Sequence, residues 1–197
     1  LMKFKIFKFK KVKSTNETAI NLIKKKNQTS GIIYSSVQTN GRGTHGKKWI
    51  SQKGNLFASI FFPLEENYPS SNEFTTINSI LVSDVIKTFC KKENIKLKYP
   101  NDIFLNKKKV CGILQETIEL KDKKFLIVGI GVNIKFSPHN RTNYQTTNIF
   151  YETKEKPSII KITNLLVKKY EDFFKKVNSY KFNNFKIKAD TMIFNGV

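Results

Sequence analysis

Cysteine is scarce in this chain of 197 residues, with only Cys90 and Cys111. Two cysteines without metal-ligand spacing make neither a disulfide framework nor a zinc site, so buried, reduced thiols are expected. Arginine is scarcer relative to charge: all but Arg42 and Arg141 of the 36 basic residues are lysine. Proteins that read base edges lean on the bidentate arginine fork, and helix-turn-helix and zinc-finger signatures are missing. The lysines are spread along the whole length, so the net charge of +21 is read as a solvated lysine surface, with no specific nucleic acid as partner. A basic nucleic-acid-binding protein is the alternative reading from a different class. No apolar run approaches the ~20 residues needed to span a bilayer. The opening residues are neither a signal peptide nor a transit peptide, so a cytoplasmic protein without membrane attachment is expected. What is present is core material. At 39% hydrophobic and 13% aromatic residues, the chain has enough apolar surface to fold rather than remain disordered.

The apolar pattern alternates between strand and helix periods. Residues 3–13, KFKIFKFKKVK, read as a half-buried strand and residues 14–26 as a capped helix. Residues 32–37 and 56–62 read as strands. Phe74, Ile77, Leu81, Val85 and Phe89 form a helical stripe. Residues 95–99, 103–105 and 110–120 predict strands, the last two joined as a hairpin, and 125–134 a further strand interrupted by Gly129 and Gly131. Residues 135–157 read as polar and irregular, and Pro157-Ser158 opens a helix carrying Ile159, Ile162, Leu166, Tyr170, Phe173 and Val177. Residues 182–197 look strand-like. The expected fold class is α+β, a mixed, largely antiparallel sheet with helices packed against it.

The single tryptophan ends the most unusual stretch, GRGTHGKKW at residues 41–49. Gly41, Gly43 and Gly46 spell a GxGxxG, and Gly41 to Lys47 a Walker A element in which Lys48 replaces the metal-binding hydroxyl. Both readings need a helix to start at the last glycine, whereas LFASIFF at residues 56–62 reads as a buried strand. A kinase loop would need HRD and DFG, and neither tripeptide occurs. What remains is a cationic glycine loop between strands, suited to an anion.

Four further clusters fall at strand ends or turns. Ser14-Thr15-Asn16 is either an N-cap or a set of uncharged donors and acceptors. Lys98-Tyr99-Pro100-Asn101-Asp102 is a turn whose Asp102 could hold an ammonium or a metal. Lys107-Lys108-Lys109 is a solvated hairpin tip or, through Lys109 beside Gly112, an inward-pointing cation. Gly129 and Gly131 either weaken their strand or admit a ligand, with Asn133 offering an amide at its end. Uncharged groups at one end, cations in the middle, a flat indole and one carboxylate suit joining a carboxylate to an adenosine phosphate.

In order along the chain, STN at 14–16, QTNGRGTHGKKW at 38–49, GNLFASI at 54–60, YPND at 99–102, KVCGIL at 109–114 and GIGVNI at 129–134 resemble the biotin–protein ligases, also called biotin–[acetyl-CoA-carboxylase] ligases or holocarboxylase synthetases. The resemblance implies that biotin and MgATP give biotinyl-5′-AMP and that a lysine of the biotin carboxyl carrier protein of acetyl-CoA carboxylase accepts the biotin. It implies that Ser14, Thr15, Asn16 and Gln38 bind the biotin head, with Gly41, Arg42, Gly43, Thr44, Lys109 and Gly112 completing that site. Arg42 with the Gly41 and Gly43 backbone would hold the carboxylate and α-phosphate. Lys109 would be catalytic, Trp49 would stack on adenine, Asn101 and Asn133 would lie near the nucleotide, and Asp102 would orient the acceptor lysine or help place Mg2+.

The pattern also departs from that of the family. Where many relatives read GRGRxGR, this chain has Thr44 and Lys47, which predicts looser retention of the adenylate; Tyr99 stands in place of the usual tryptophan. Only thirteen residues precede Ser14, so a monofunctional type without the DNA-binding domain is expected, as a monomer or homodimer. Residues 1–181 are expected to form the catalytic domain and 182–197 the possible start of a truncated small β domain. A lipoate or octanoate ligase of the same fold is the nearer alternative.

Overall fold

The structure, a computed structural model, describes residues 1–90, 94–138 and 145–194. One seven-stranded sheet organises them. In chain order its strands are β1 (Lys5–Phe9), β2 (Gly31–Ser35), β3 (Leu56–Pro63), β4 (Ile95–Lys98), β5 (Asp102–Leu105), β6 (Lys108–Leu120) and β7 (Lys123–Val132). Their spatial order is β1-β2-β3-β7-β6-β5-β4. Only β1 and β2 run parallel, joined by the crossover helix α1 (Thr15–Lys26); the other neighbours are antiparallel. The mixed, largely antiparallel α+β fold read from the sequence is therefore the observed one.

The strand period separates two cores. On β3, Leu56, Ala58, Ile60 and Phe62 face the larger core beneath α2 (Ser71–Lys87) and α4 (Ile159–Lys175). Phe61 faces the opposite way, joining Ala19 and Ile23 of α1 with Ile33, Phe125 and Ile127 in a smaller core. Aromatic rings fill the larger one: Phe62 lies 5.1 Å from Phe74 and 4.9 Å from Phe174, centroid to centroid. A polar chain, buried at Tyr170 and Asn78 and half-buried at Gln115, ties its helices to the sheet. Tyr170 Oη donates to Asn78 Oδ1 at 2.8 Å, Asn78 Nδ2 to Gln115 Oε1 at 2.9 Å, and Gln115 Nε2 to the Ser71 carbonyl at 2.7 Å. Burial pushes the Tyr170 hydroxyl well above its ordinary pKa, so it stays a neutral donor.

Helix starts follow the sequence signals. Ser70 and Glu73 form a reciprocal capping box on α2, and Ser158 Oγ accepts from the Lys161 amide at the start of α4. Two readings need correction. Residues 135–157 are not irregular throughout, because Asn148 caps a short helix α3 (Ile149–Thr153); within that stretch, 139–144 lie outside the described residues. Residues 182–197 are not strand-like where described: Phe182–Thr191 is helix α5. The decisive period is Phe182, Phe185, Ala189 and Met192, a helical spacing that packs against the larger core while Ile187 faces solvent. The Met192 carbonyl then accepts from the Leu97 amide, so this segment closes against the β4 edge of the same sheet. Among the described residues no helix is long and apolar enough to cross a membrane.

Because Phe62 sits at the centre of the aromatic cluster, Phe62→Ala is expected to lower the unfolding free energy by about 3–5 kcal/mol, measured by urea denaturation.

Candidate functional site

The α1 face of the sheet is only partly covered by α1. Beyond that helix, three glycines leave the sheet surface without side chains: Gly112 on β6 pairs with Gly131 on β7, and Gly129 lies one face-repeat further along. Their bareness is sterically required. A Cβ on Gly129 would meet Asn16 Oδ1 at 2.5 Å, and a Cβ on Gly131 would meet the Trp49 ring at 2.4 Å. The Asn16 side chain and the indole therefore lie directly on the backbone of β6 and β7.

One cavity collects the sequence-predicted groups. It is lined by Ser14, Thr15, Asn16, Gln38, Arg42, Gly43, Thr44, Trp49, Asn101, Asp102, Lys109 and Gly112, with Phe57, Ala58, Ile113, Leu114, Gly129, Ile130 and Gly131 as walls. Gly41 is buried just behind, its carbonyl accepting from the Trp49 amide at 2.9 Å. Asn133 is not among the lining residues. Its Nδ2 donates to the Thr147 carbonyl at 3.1 Å, beside Asn55, whose Oδ1 accepts the amides of Ile134, Lys135 and Phe136.

At the uncharged end, the helix-cap and binding readings of Ser14-Thr15-Asn16 separate. Ser14 is the N-cap residue but makes no side-chain cap bond, and all three side chains are buried in the cavity wall. Gln38 Oε1 accepts from the Thr15 amide at 2.8 Å and from Thr15 Oγ1 at 3.1 Å, while its Nε2 donates to Ser51 Oγ. Ser59 Oγ lies 2.8 Å from Thr15 Oγ1 and also touches Asn16 Oδ1. Asn16 Nδ2 donates to the Leu114 carbonyl and, at 2.7 Å, to Glu116 Oε2. Ser51, Ser59 and Glu116 were missed in the sequence. Ser59 was detectable as a polar residue inside the otherwise apolar LFASIFF, and Glu116 as the second step of the period-two row Gly112, Leu114, Glu116.

At the cationic end, Arg42 lies on a tight loop. The Gly43 amide donates to the Lys47 carbonyl at 2.7 Å, and Thr44–Gly46 makes a short 3-10 turn with His45 exposed at its tip. Arg42 Nη2 donates to Glu116 Oε2 at 2.7 Å. Lys109 reaches the cavity because of a register shift: Ile103 pairs with Cys111, but Phe104 pairs with Lys109. Strict alternation would put Lys109 and Gly112 on opposite faces. The bulge absorbs Val110 and turns both to the same one. Lys109 Nζ thus lies 2.7 Å from Asp102 Oδ1 and 5.4 Å above the Trp49 ring. The adjacent Cys111 thiol points into the larger core, where burial pushes its pKa up strongly; Lys109 lowers it less and Asp102 adds to the rise. Among the described residues, no group of three His, Cys, Asp or Glu is placed to hold a metal.

This arrangement matches a known family. A model of the biotin/lipoate A/B protein ligase family matches residues 8–133, well over half of the chain. The chain belongs to that family. Its sequence is 30% identical over 125 residues to the bifunctional ligase/repressor BirA of Escherichia coli, covering 62% of this chain and 38% of that protein. It is also 30% identical over 153 residues to biotin–protein ligase 2 of Arabidopsis thaliana, covering 73% of this chain and 45% of that one. The chain thus spans less than half the length of these curated relatives. Among solved structures, the Aquifex aeolicus biotin protein ligase in complex with biotin and ATP superposes with a TM-score of 0.80 at 28% identity, over 96% of this chain and 78% of that one. The Leishmania major biotin protein ligase shares the fold at a TM-score of 0.84 and 21% identity. Within the family the chain is of the biotin–protein ligase type.

Two outcomes follow from the geometry of this ligase-family site. Gly131→Ala should lift the indole off the sheet, shifting the emission of the only tryptophan to longer wavelength; an unchanged spectrum in the folded variant would contradict the contact. Cys111 should resist thiol reagents at pH 8 in the native protein and react on unfolding in urea, because burial shields the thiol and, by raising its pKa, disfavours the thiolate.

Proposed function

We propose that the chain carries the catalytic centre of an ATP-dependent biotin–protein ligase. The observation that carries this reading is the single cavity in which STN, the glycine loop, Asn101-Asp102 and Lys109 converge from four separated stretches of sequence. The similarity to a ligase whose structure contains biotin and ATP supports it.

The substrates would be biotin and MgATP, with Mg2+ arriving on the triphosphate. Ser14, Thr15, Asn16 and Gln38 present fixed donors and acceptors to the ureido ring, which carries two N–H groups and one carbonyl. Desolvated hydrogen bonding of this kind discriminates strongly against a ring lacking those groups. In the first step, the biotin carboxylate attacks the α-phosphorus, the bond to the β-phosphate oxygen breaks, and pyrophosphate leaves. Arg42 and Lys109 offset the negative charge that accumulates there. In the second step, a neutral acceptor lysine attacks the carbonyl carbon of the mixed anhydride and AMP departs. Asp102, held by Lys109, would orient that amine and accept its proton. Trp49 would stack on adenine and Asn101 would lie beside the nucleotide. Asn133 would act at one remove by bracing the segment that follows β7. The acceptor would be a biotin carboxyl carrier protein such as that of acetyl-CoA carboxylase, and the setting cytoplasmic.

The free volume of the cavity is about 50 Å3. Pockets that hold ligands of this size measure roughly 300–1,000 Å3, so Trp49 and the 41–48 loop must move outward to admit biotin. The buried Trp49 Nε1, which has no hydrogen-bond partner among the described residues, lowers the cost of that move.

The deciding experiment is exchange of labelled pyrophosphate into ATP. Exchange should require biotin and should not be supported by lipoate; dependence on lipoate instead would move the chain to the other branch of its family. Lys109→Ala should cut the exchange rate by about a hundredfold or more, as for other lost electrostatic stabilisers. Undiminished exchange in that variant would remove Lys109 from the mechanism.

A further inference from the structure

Glu116 has no place in the chemistry above, yet it touches both ends of the site through one atom. Its Oε2 accepts from Asn16 Nδ2 and from Arg42 Nη2, each at 2.7 Å. Its position follows from the sheet. Gly112, Leu114 and Glu116 share one face of β6, and Glu116 pairs with Ile127 next to the smaller core. The carboxylate therefore emerges where the bare glycine floor ends, below the loop that carries Arg42. The outer face of that loop forms a shallow cleft lined by Arg42, Thr44, Lys47, Lys48 and Glu116, so Glu116 is the acidic group in a cationic surround.

We infer that Glu116 is a specificity-determining positioning residue. It holds Arg42 on a carboxylate of the protein, so that a free anion takes the guanidinium over less readily than one delivered within the site. The geometry of the contact is that of an arginine–carboxylate hydrogen bond, the same interaction Arg42 would make with a substrate carboxylate or phosphate. A free anion must therefore compete with Glu116, which weakens capture of pyrophosphate or nucleotide alone. A ligand seated against Asn16 is treated differently, because Asn16 shares the same Oε2. Any shift of the Asn16 amide alters the acceptor that retains Arg42, linking the uncharged end of the cavity to its cationic loop. The inference rests on reading Arg42 as the anion-binding residue of the proposed ligase site.

The pair is partly exposed, with side-chain accessibilities of 39% for Arg42 and 27% for Glu116, so its hold is modest. An exposed pair of this kind corresponds to about a threefold effect on a competing anion.

The test uses inorganic pyrophosphate as probe and Trp49 fluorescence as reporter, without biotin or ATP. Glu116→Gln keeps an acceptor for Asn16 but removes the charge that holds Arg42, and should bind pyrophosphate about threefold more tightly than the native chain. The gain should vanish in the Arg42→Ala background. Glu116→Asp retains the charge but is one methylene too short to serve both partners, and should show a gain as well. It also serves if Glu116→Gln does not fold. No gain in a folded variant, or an equal gain with and without Arg42, would overturn the inference, since the second result is charge removal alone. Because the assay omits biotin, failure of pyrophosphate–ATP exchange would count against the ligase reading and leave this result standing.

Discussion

The bare strip formed by Gly112, Gly129 and Gly131 is the constraint around which the other groups are arranged. A sheet ordinarily covers both faces with side chains, and here α1 covers one face only as far as Ala19 and Ile23. Where the glycines begin, other groups lie directly on the backbone: Asn16 over Gly129 and Trp49 over the Gly112–Gly131 pair. Any Cβ on this strip would lift those two side chains and, with them, the polar chain and the cationic loop they support. The larger core on the opposite face, filled by Phe62, Phe74, Phe173, Phe174 and Tyr170, is what lets the sheet tolerate so thin a packing on this side.

A polar chain then joins the two ends of the cavity. It runs from Ser51 through Gln38, Thr15, Ser59 and Asn16 to Glu116 and Arg42. Thr15, Asn16 and Ser59 at its centre are buried, and in a low-dielectric setting an unmatched donor or acceptor is costly. The chain therefore fixes the orientation of Thr15 and Asn16 before any ligand arrives, which is the preorganisation that recognition of a small polar ring requires. It ends in the partly exposed Arg42–Glu116 ion pair. Rigidity at the uncharged end and adjustability at the arginine suit a site that closes on a ligand after recognising it.

Lys109 and Asp102 depend on a different device. The bulge at Val110 turns Lys109 onto the glycine face, while Cys111 and Ile113 continue into the larger core. The same register places Asp102 opposite Gly112, so the ammonium and carboxylate meet over a position with no side chain. Both are largely screened from solvent, and a buried charge left without its partner is strongly unfavourable. That cost keeps the two together, next to the indole.

Composition, period and motif order determined the fold class, most element positions and nearly the whole lining of the cavity. These are local properties: strand and helix periods, capping residues, and short motifs whose order along the chain is visible without coordinates. Residues 182–191 escaped because their helical period becomes evident only once Phe182, Phe185 and Ala189 are seen against the same core. Ser51, Ser59 and Glu116 escaped because each is a common residue whose role arises from a partner distant in sequence. Asn133 is placed near the nucleotide by the family resemblance alone; that its amide donates to the Thr147 carbonyl is a contact the linear chain does not reveal. Tertiary structure alone decided that Lys109 and Gly112 share a face, that the indole lies flat on the sheet, and that Arg42 is held by a carboxylate 74 residues away. Each of these depends on register and on long-range packing, and neither is written in the spacing of neighbouring residues.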